Sequence, residues 1–143
     1  MIRGLDFTGI SVVFFCHDGS GKILMNKRSV KCRDEQGKWD IGGGALKFGE
    51  SAIDAVKREI KEEYCADVLE CEFLGYRDVH RTVDGKKSHW LALDFKVRIQ
   101  VSTIKNGDPQ KIDEIAWFSP DALPSPLHSQ LGTFLDNHKS KLK

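Results

Sequence analysis

Glu59, Glu62 and Glu63 stand at positions i, i+3 and i+4 of a segment that follows the glycine run Gly42-Gly43-Gly44. In a helix of about 100° per residue these carboxylates share one sector of the surface, where like charges repel and push at least one carboxyl pKa upward. A divalent cation relieves that conflict. Hard oxygen donors, few in number and beside a glycine segment that lets backbone groups approach a phosphate, suit Mg²⁺, with Mn²⁺ as the alternative. The chemistry indicated is neutralisation of a polyphosphate for attack by an aligned water. An acidic run on a solvated helix face that binds nothing is the competing reading of the glutamates taken alone.

The element that must carry these groups is a helix. Ser51 is a good N-cap, and Asp54 completes a variant of the capping box and suits the positive end of the dipole. Ile53, Val56, Ile60 and Tyr64 fall on a sector adjoining the glutamates and are expected to anchor the helix to a core. Asp54, Lys57, Arg58 and Lys61 fill the remaining arc. Ala52 and Ala55 extend the acidic stripe as a low floor against which a ligand could lie.

The whole arrangement reads Gly44, five residues, Glu50, seven residues, Arg58-Glu59-Ile60-Lys61-Glu62-Glu63, one residue, then Cys65 and Ala66. It resembles the signature of the Nudix hydrolases. Cys65 departs from the glycine usual at its position, and Gly42 from a frequent proline. A glycine at a helix end supplies a left-handed residue cheaply, so Cys65 bears on how the helix exits. The resemblance implies one domain over residues 1–143, an α/β/α sandwich with a mixed β-sheet between helices. It also implies a Mg²⁺-dependent pyrophosphohydrolase that cleaves a diphosphate linkage in a nucleoside di- or triphosphate derivative.

By the same resemblance, Glu59, Glu62, Glu63 and the Gly44 carbonyl make up the metal site, with Glu59 and Glu63 as direct ligands. Glu62 binds a second metal or takes the proton from water, and the sequence does not separate those roles. Arg58 joins the three glutamates in the catalytic set by orienting one of them through a charge-assisted bond, and Glu50 ties loop to helix. The plainer readings are a solvated helix arginine and a simple helix-start acid. Asp113 and Glu114 are candidates for a further acid, against a plain surface turn.

On the substrate side stand Arg28, Tyr76, His80 and Arg81, in a chain whose second half also offers Arg77, His89 and Trp90 for stacking or phosphate binding. Core positions for Tyr76 and Trp90 are the even alternative. His80 and His89 read as too few and too far apart for a metal site. No proline stands near Arg81 and Thr82 as in ADP-ribose-cleaving members, and no proline-rich motif of the NADH-cleaving kind follows the box. Those absences favour a nucleoside triphosphate or an unclassified nucleoside diphosphate derivative, with ADP-ribose or a nucleotide sugar as the alternative. A non-catalytic nucleotide-binding sensor is the reading from another class; it predicts lost glutamates, and all are present. An isomerase of an isoprenyl diphosphate would want a cysteine in the pocket, which the position of Cys65 does not suit.

Length and composition fit one globular domain: 143 residues, 40% hydrophobic and 30% charged, with a net charge of +1. That charge gives no reason to expect nucleic-acid or membrane binding; the resemblance implies a small-molecule partner, and a monomer or a homodimer is expected. The apolar run from Ile10 to Cys16 is too short and too β-branched for a membrane helix or signal peptide. Cys16, Cys32, Cys65 and Cys71 lack metal or disulfide spacing, so reduced thiols and a cytoplasmic setting are expected. Cys16 reads as core and Cys32 as an exposed loop residue, while the basic tail from His138 to Lys143 is expected to fray.

Strands are expected over Thr8–Cys16 and Lys22–Arg28 as a hairpin about His17 to Gly21, then Trp39–Ile41 feeding the glycine loop, with Ser29–Lys38 a loop between. Val68–Arg81 and Ser88–Gln100 pair across Val83-Asp84-Gly85-Lys86, and Ile112–Phe118 follows. Past Pro120, Pro124 and Pro126, the spacing of Leu127, Leu131, Phe134 and Leu135 predicts a helix at about Leu127 to His138.

Overall fold

The computed structural model describes residues 1–142. Strand β1 (Gly9–His17) runs through the middle of a mixed sheet and sends alternate side chains to opposite faces. Val12, Phe14 and Cys16 enter a core beneath α1 (Ala52–Tyr64), while Phe15 enters a second core beneath α2 (Leu131–His138). The sheet is therefore a layer between helices, and the fold is the expected α/β/α sandwich.

β1 pairs in parallel with β6 (Lys86–Ile99), from Gly9 opposite Trp90 to His17 opposite Arg98. β6 carries the long edge strand β5 (Val68–Val83) antiparallel. On its other side β1 meets β2 (Ile23–Arg28) only at Cys16 and His17, because β4 (Gly43–Ala45) pairs with Ser11 to Val13. The glycine segment, expected as a loop, is thus a strand. A Cβ on Gly43 would stand 2.6 Å from the Val12 carbonyl oxygen, so the absence of side chains is what lets this segment lie flush on β1. β2 continues outward to β3 (Trp39–Asp40) and β7 (Ile112–Phe118).

The β5–β6 hairpin is tighter than expected. Both strands run to Asp84 and Gly85, whose φ of 52° and 75° are the left-handed values a two-residue turn requires. α2 begins at Leu131 instead of Leu127 because the backbone before it is claimed by β3: Trp39 N–H donates to the Pro126 carbonyl and His128 N–H to the Trp39 carbonyl, each at 2.8 Å. The basic tail does not fray over its described part. Lys141 Nζ donates to the Leu74 carbonyl at 3.1 Å, and Lys96 Nζ to the Lys141 carbonyl at 3.1 Å; Lys143 lies outside the described residues. Among those residues no helix is long and apolar enough to cross a membrane.

α1 is capped as expected, Ser51 Oγ accepting from the Asp54 N–H at 3.1 Å. Val56, Ile60 and Tyr64 are fully buried, but Ile53 is 40% exposed and Ala55 takes the core position instead. The helix leans its glutamate edge toward the sheet, so Ala55 is core and not an open floor. Tyr64 locks this tilt, donating its hydroxyl to the Ile41 carbonyl at 3.0 Å and accepting from Asn26 Nδ2 at 2.8 Å.

The helix exits through Cys65, held at φ 54° and ψ 31°. Its last carbonyls are satisfied from a later loop: Lys105 N–H donates to Tyr64 at 3.1 Å, Gly107 N–H to Glu63 at 2.9 Å, and Thr103 Oγ1 to Cys65 at 2.9 Å. A side chain in the left-handed region costs on the order of 1 kcal/mol. Cys65→Gly is therefore expected to stabilise the fold by about 1 kcal/mol, read as a higher urea midpoint at unchanged slope.

Candidate active site

Arg58 joins three parts of the chain. Its Nε and Nη2 donate to the two carboxylate oxygens of Glu50 at 2.7 and 2.9 Å, Nη2 donates to the Ala45 carbonyl at 3.2 Å, and Nη1 donates to Glu59 at 2.7 Å. One guanidinium thus fixes the end of β4, the approach to α1 and the acidic face together. These bonds hold the Glu50 carboxyl down at about 2, and carboxylate hydrogen bonds push the arginine further up.

The three glutamates differ in setting. The Glu62 side chain is 55% exposed and reaches Arg58 Nη1 at 3.5 Å, whereas that of Glu59 is 15% exposed. Burial raises the Glu59 carboxyl, with Arg58 opposing and Glu62 adding to the rise. Glu63 is the extreme case: its Oε2 is enclosed with no hydrogen-bond partner among the described residues. Burial lifts its carboxyl well above the ordinary range, and the charges of Glu59, Asp40, Asp108 and Glu62 lift it further.

Two glycines clear the space in front of these groups. A Cβ on Gly44 would fall 2.2 Å from the Glu59 carboxyl carbon, and one on Gly42 would fall 3.1 Å from Glu63 Oε2. Hard oxygen donors, crowded like charge, an unpaired enclosed carboxylate oxygen and a backbone kept bare beside Glu59 all fit a divalent cation. Gly44→Ala must displace the Glu59 carboxylate. We expect turnover to fall by about 10²-fold with the melting temperature little changed, measured by steady-state kinetics beside a thermal melt.

Glu63 and Gly42 to Gly44 also border a cavity of about 300 Å³, whose lining includes Arg28, Arg77, Arg81, Trp90, His128 and Phe134. Arg77, Val79 and Arg81 alternate along β5 and share this face with Trp90 and Ala92 of β6. Tyr76 does not reach it: it is 65% exposed on the opposite face of β5. His80 is likewise outside the cavity, stacked on His89 at 4.2 Å between ring centroids. The two histidines, read from sequence as too far apart for a metal site, are cross-strand neighbours because the hairpin pairs them.

Arg28 and Arg81 line the cavity while bound to loop carboxylates: Arg28 to Asp34 at 2.9 Å, and Arg81 to Asp34 at 3.0 Å and Glu35 at 2.9 Å. Glu35 also accepts from Lys38 at 2.8 Å and from Ser129 Oγ at 2.5 Å. Burial opposes ionisation of Glu35, but the bonds from Lys38 and Ser129 outweigh it and bring the carboxyl down to about 2. The loop is thereby stapled to the rim of the cavity.

The sequence reading missed a buried triad. Asp94, fully buried, accepts from Arg77 Nε at 2.5 Å and Nη2 at 2.9 Å, and pairs with His138 Nε2 at 2.7 Å. Arg77 Nη1 has no partner among the described residues, and the guanidinium lies 5.4 Å from the Phe134 ring centroid. An aspartate in the apolar run Trp90-Leu91-Ala92-Leu93-Asp94-Phe95 was the available signal. Asp40 and Asp108, which bear on Glu63, were missed as well, whereas Asp113 and Glu114 are exposed on β7.

The sequence model described as NUDIX domain matches residues 8–138. The chain is 30% identical over 122 residues to the CTP pyrophosphohydrolase of Escherichia coli (strain K12), covering 82% of each. It is 25% identical over 123 residues to the 8-oxo-dGDP phosphatase NUDT18 of Homo sapiens, spanning 84% of this chain but only 35% of that protein. Among solved structures, the MutT NUDIX hydrolase from Burkholderia pseudomallei superposes with a TM-score of 0.81 at 26% identity, over 92% of this chain and 98% of that one.

Proposed function

The chain belongs to the NUDIX family of hydrolases, which act on phosphorus anhydrides, and from that premise we propose a Mg²⁺-dependent nucleoside triphosphate pyrophosphohydrolase. One observation carries the reading: Glu63 of α1, with its Oε2 unpaired, lines the same cavity as Arg28, Arg77 and Arg81. A cavity lined by both carboxylate and guanidinium groups suits a molecule whose phosphates lie toward a metal and whose remaining part carries hydrogen-bond acceptors.

Glu59, Glu62, Glu63 and the backbone of Gly44 would hold the Mg²⁺, or Mn²⁺ in its place. The ion supplies neutralisation of phosphate charge and a more acidic water. The chain does the positioning. Glu50 fixes Arg58, and Arg58 fixes Glu59, so the acidic face is set before substrate arrives. Glu62, the most exposed of the three, has room to take a proton from water. Asp94 orients Arg77 with two bonds and leaves its third nitrogen for an acceptor on the substrate. The substrate is a small cytoplasmic nucleotide; ADP-ribose and nucleotide sugars are the next class.

The test is a panel of nucleoside triphosphates, nucleotide sugars, ADP-ribose and dinucleoside polyphosphates with Mg²⁺, with products separated chromatographically. A nucleoside triphosphate is expected to turn over fastest, giving monophosphate and pyrophosphate. Faster cleavage of ADP-ribose or a nucleotide sugar would replace the substrate class. Turnover of no compound would contradict the proposal.

A further inference from the structure

The β5–β6 hairpin carries a second set of ligand-type side chains on the face turned away from the cavity. His80 and His89 are directly opposed across the strands, their imidazoles stacked with 22° between the planes. Asp78 shares that face and places Oδ1 2.9 Å from His89 Nε2. One nitrogen of each ring and one Asp78 oxygen all lie within 4.8 Å of one another. The remaining nitrogen of His89, Nδ1, is held by the Thr8 hydroxyl at 3.1 Å. A metal-bound histidine commonly carries an outer hydrogen bond of this kind on its other ring nitrogen, which helps orient the ring.

Space for further ligands adjoins the cluster. Residues Gly4 to Thr8 cross beside it, pinned by the bond from His89 N–H to the Gly4 carbonyl at 2.8 Å, and border a depression of about 260 Å³ with His80 and His89. Lys87 and Asp6 border it too, the Asp6 carboxylate accepting from the Ile2 N–H at 2.5 Å.

We propose that Asp78, His80 and His89 form a binding site for a first-row divalent cation of the zinc class, separate from the α1 glutamates. Two imidazoles and one carboxylate match Zn²⁺, Co²⁺ or Ni²⁺, whereas Mg²⁺ prefers oxygen alone. Through Thr8 the site ties the N-terminal segment to the far end of the hairpin.

The experiment titrates zinc, against a competing chelator dye, into the full chain carrying Glu59→Gln, Glu62→Gln and Glu63→Gln, so that the catalytic glutamates do not contribute. One equivalent should bind, and adding His80→Ala and His89→Ala should weaken binding by at least about tenfold. Asp78→Asn keeps both rings and should also weaken binding by about tenfold, which covers a misfolded double-alanine variant. Affinity unchanged by these substitutions, or no zinc bound by the chain with intact histidines, would overturn the proposal. Neither result bears on whether nucleotides are hydrolysed.

Discussion

Glu63→Gln lowers kcat by about 10²- to 10³-fold on whichever nucleotide the wild type cleaves, with KM moving much less. The amide keeps the volume and the helix, so the loss reports charge. The position is chosen because Glu63 alone joins the α1 acidic face to the cavity and leaves an enclosed carboxylate oxygen unpaired. Its neighbours Glu59, Asp40, Asp108 and Glu62 make that charge costly without a cation. Metal-free Glu63→Gln should therefore melt no lower than the wild type. Addition of Mg²⁺ should raise the wild-type melting temperature, by about 1.4 kcal/mol of stability at tenfold the dissociation constant, and leave the variant's unchanged. Steady-state kinetics and paired melts check both halves. A variant with wild-type kcat would remove Glu63 from the site.

The largest stability effect is expected at Asp94. Asp94→Asn leaves Arg77 buried without its counter-charge and takes an acceptor from His138, at a cost of about 3–5 kcal/mol in urea unfolding. His138 ends α2 and Arg77 lines the cavity, so the variant should also lose affinity for nucleotide. The contrast is Arg77→Met with Asp94→Leu, which removes both charges and should be less destabilised than Asp94→Asn alone. If the single variant costs under about 1 kcal/mol, the triad does not hold the helix to the sheet.

What could be read from sequence was local. The cap at Ser51, the Val56, Ile60 and Tyr64 anchor, and the shared face of Glu59, Glu62 and Glu63 depend only on helical spacing, and the structure has each of them. The family pattern assigned Arg58 a bond to a glutamate of α1 and Glu50 a tie between loop and helix, but not the bond between Arg58 and Glu50 that the structure adds. Distant partners were not legible. β4 exists because Gly43 and Gly44 fit against β1, and α2 starts late because Trp39 captures the backbone near Pro126. Asp94 meets Arg77 and His138 only through tertiary packing.

The substrate-side residues show the limit most clearly. A register shift in β5 between Phe73 and Gly75 sets the parity of everything after it. It turns Arg77 and Arg81 to the cavity and Tyr76 and His80 to the other face, and a one-residue change of register would reverse that assignment. Residue type named Tyr76, Arg77, His80 and Arg81 on β5, and the bulge divided them.

The α1 carboxylates are proposed to serve metal-dependent cleavage of a nucleotide pyrophosphate bond. The most direct measurement is product analysis by phosphorus NMR of a nucleoside triphosphate incubated with Mg²⁺, with EDTA, and with Glu63→Gln. Monophosphate and pyrophosphate with Mg²⁺ alone, abolished by EDTA and reduced about 10²-fold or more in the variant, is the predicted result. Equal product in all three samples would contradict it.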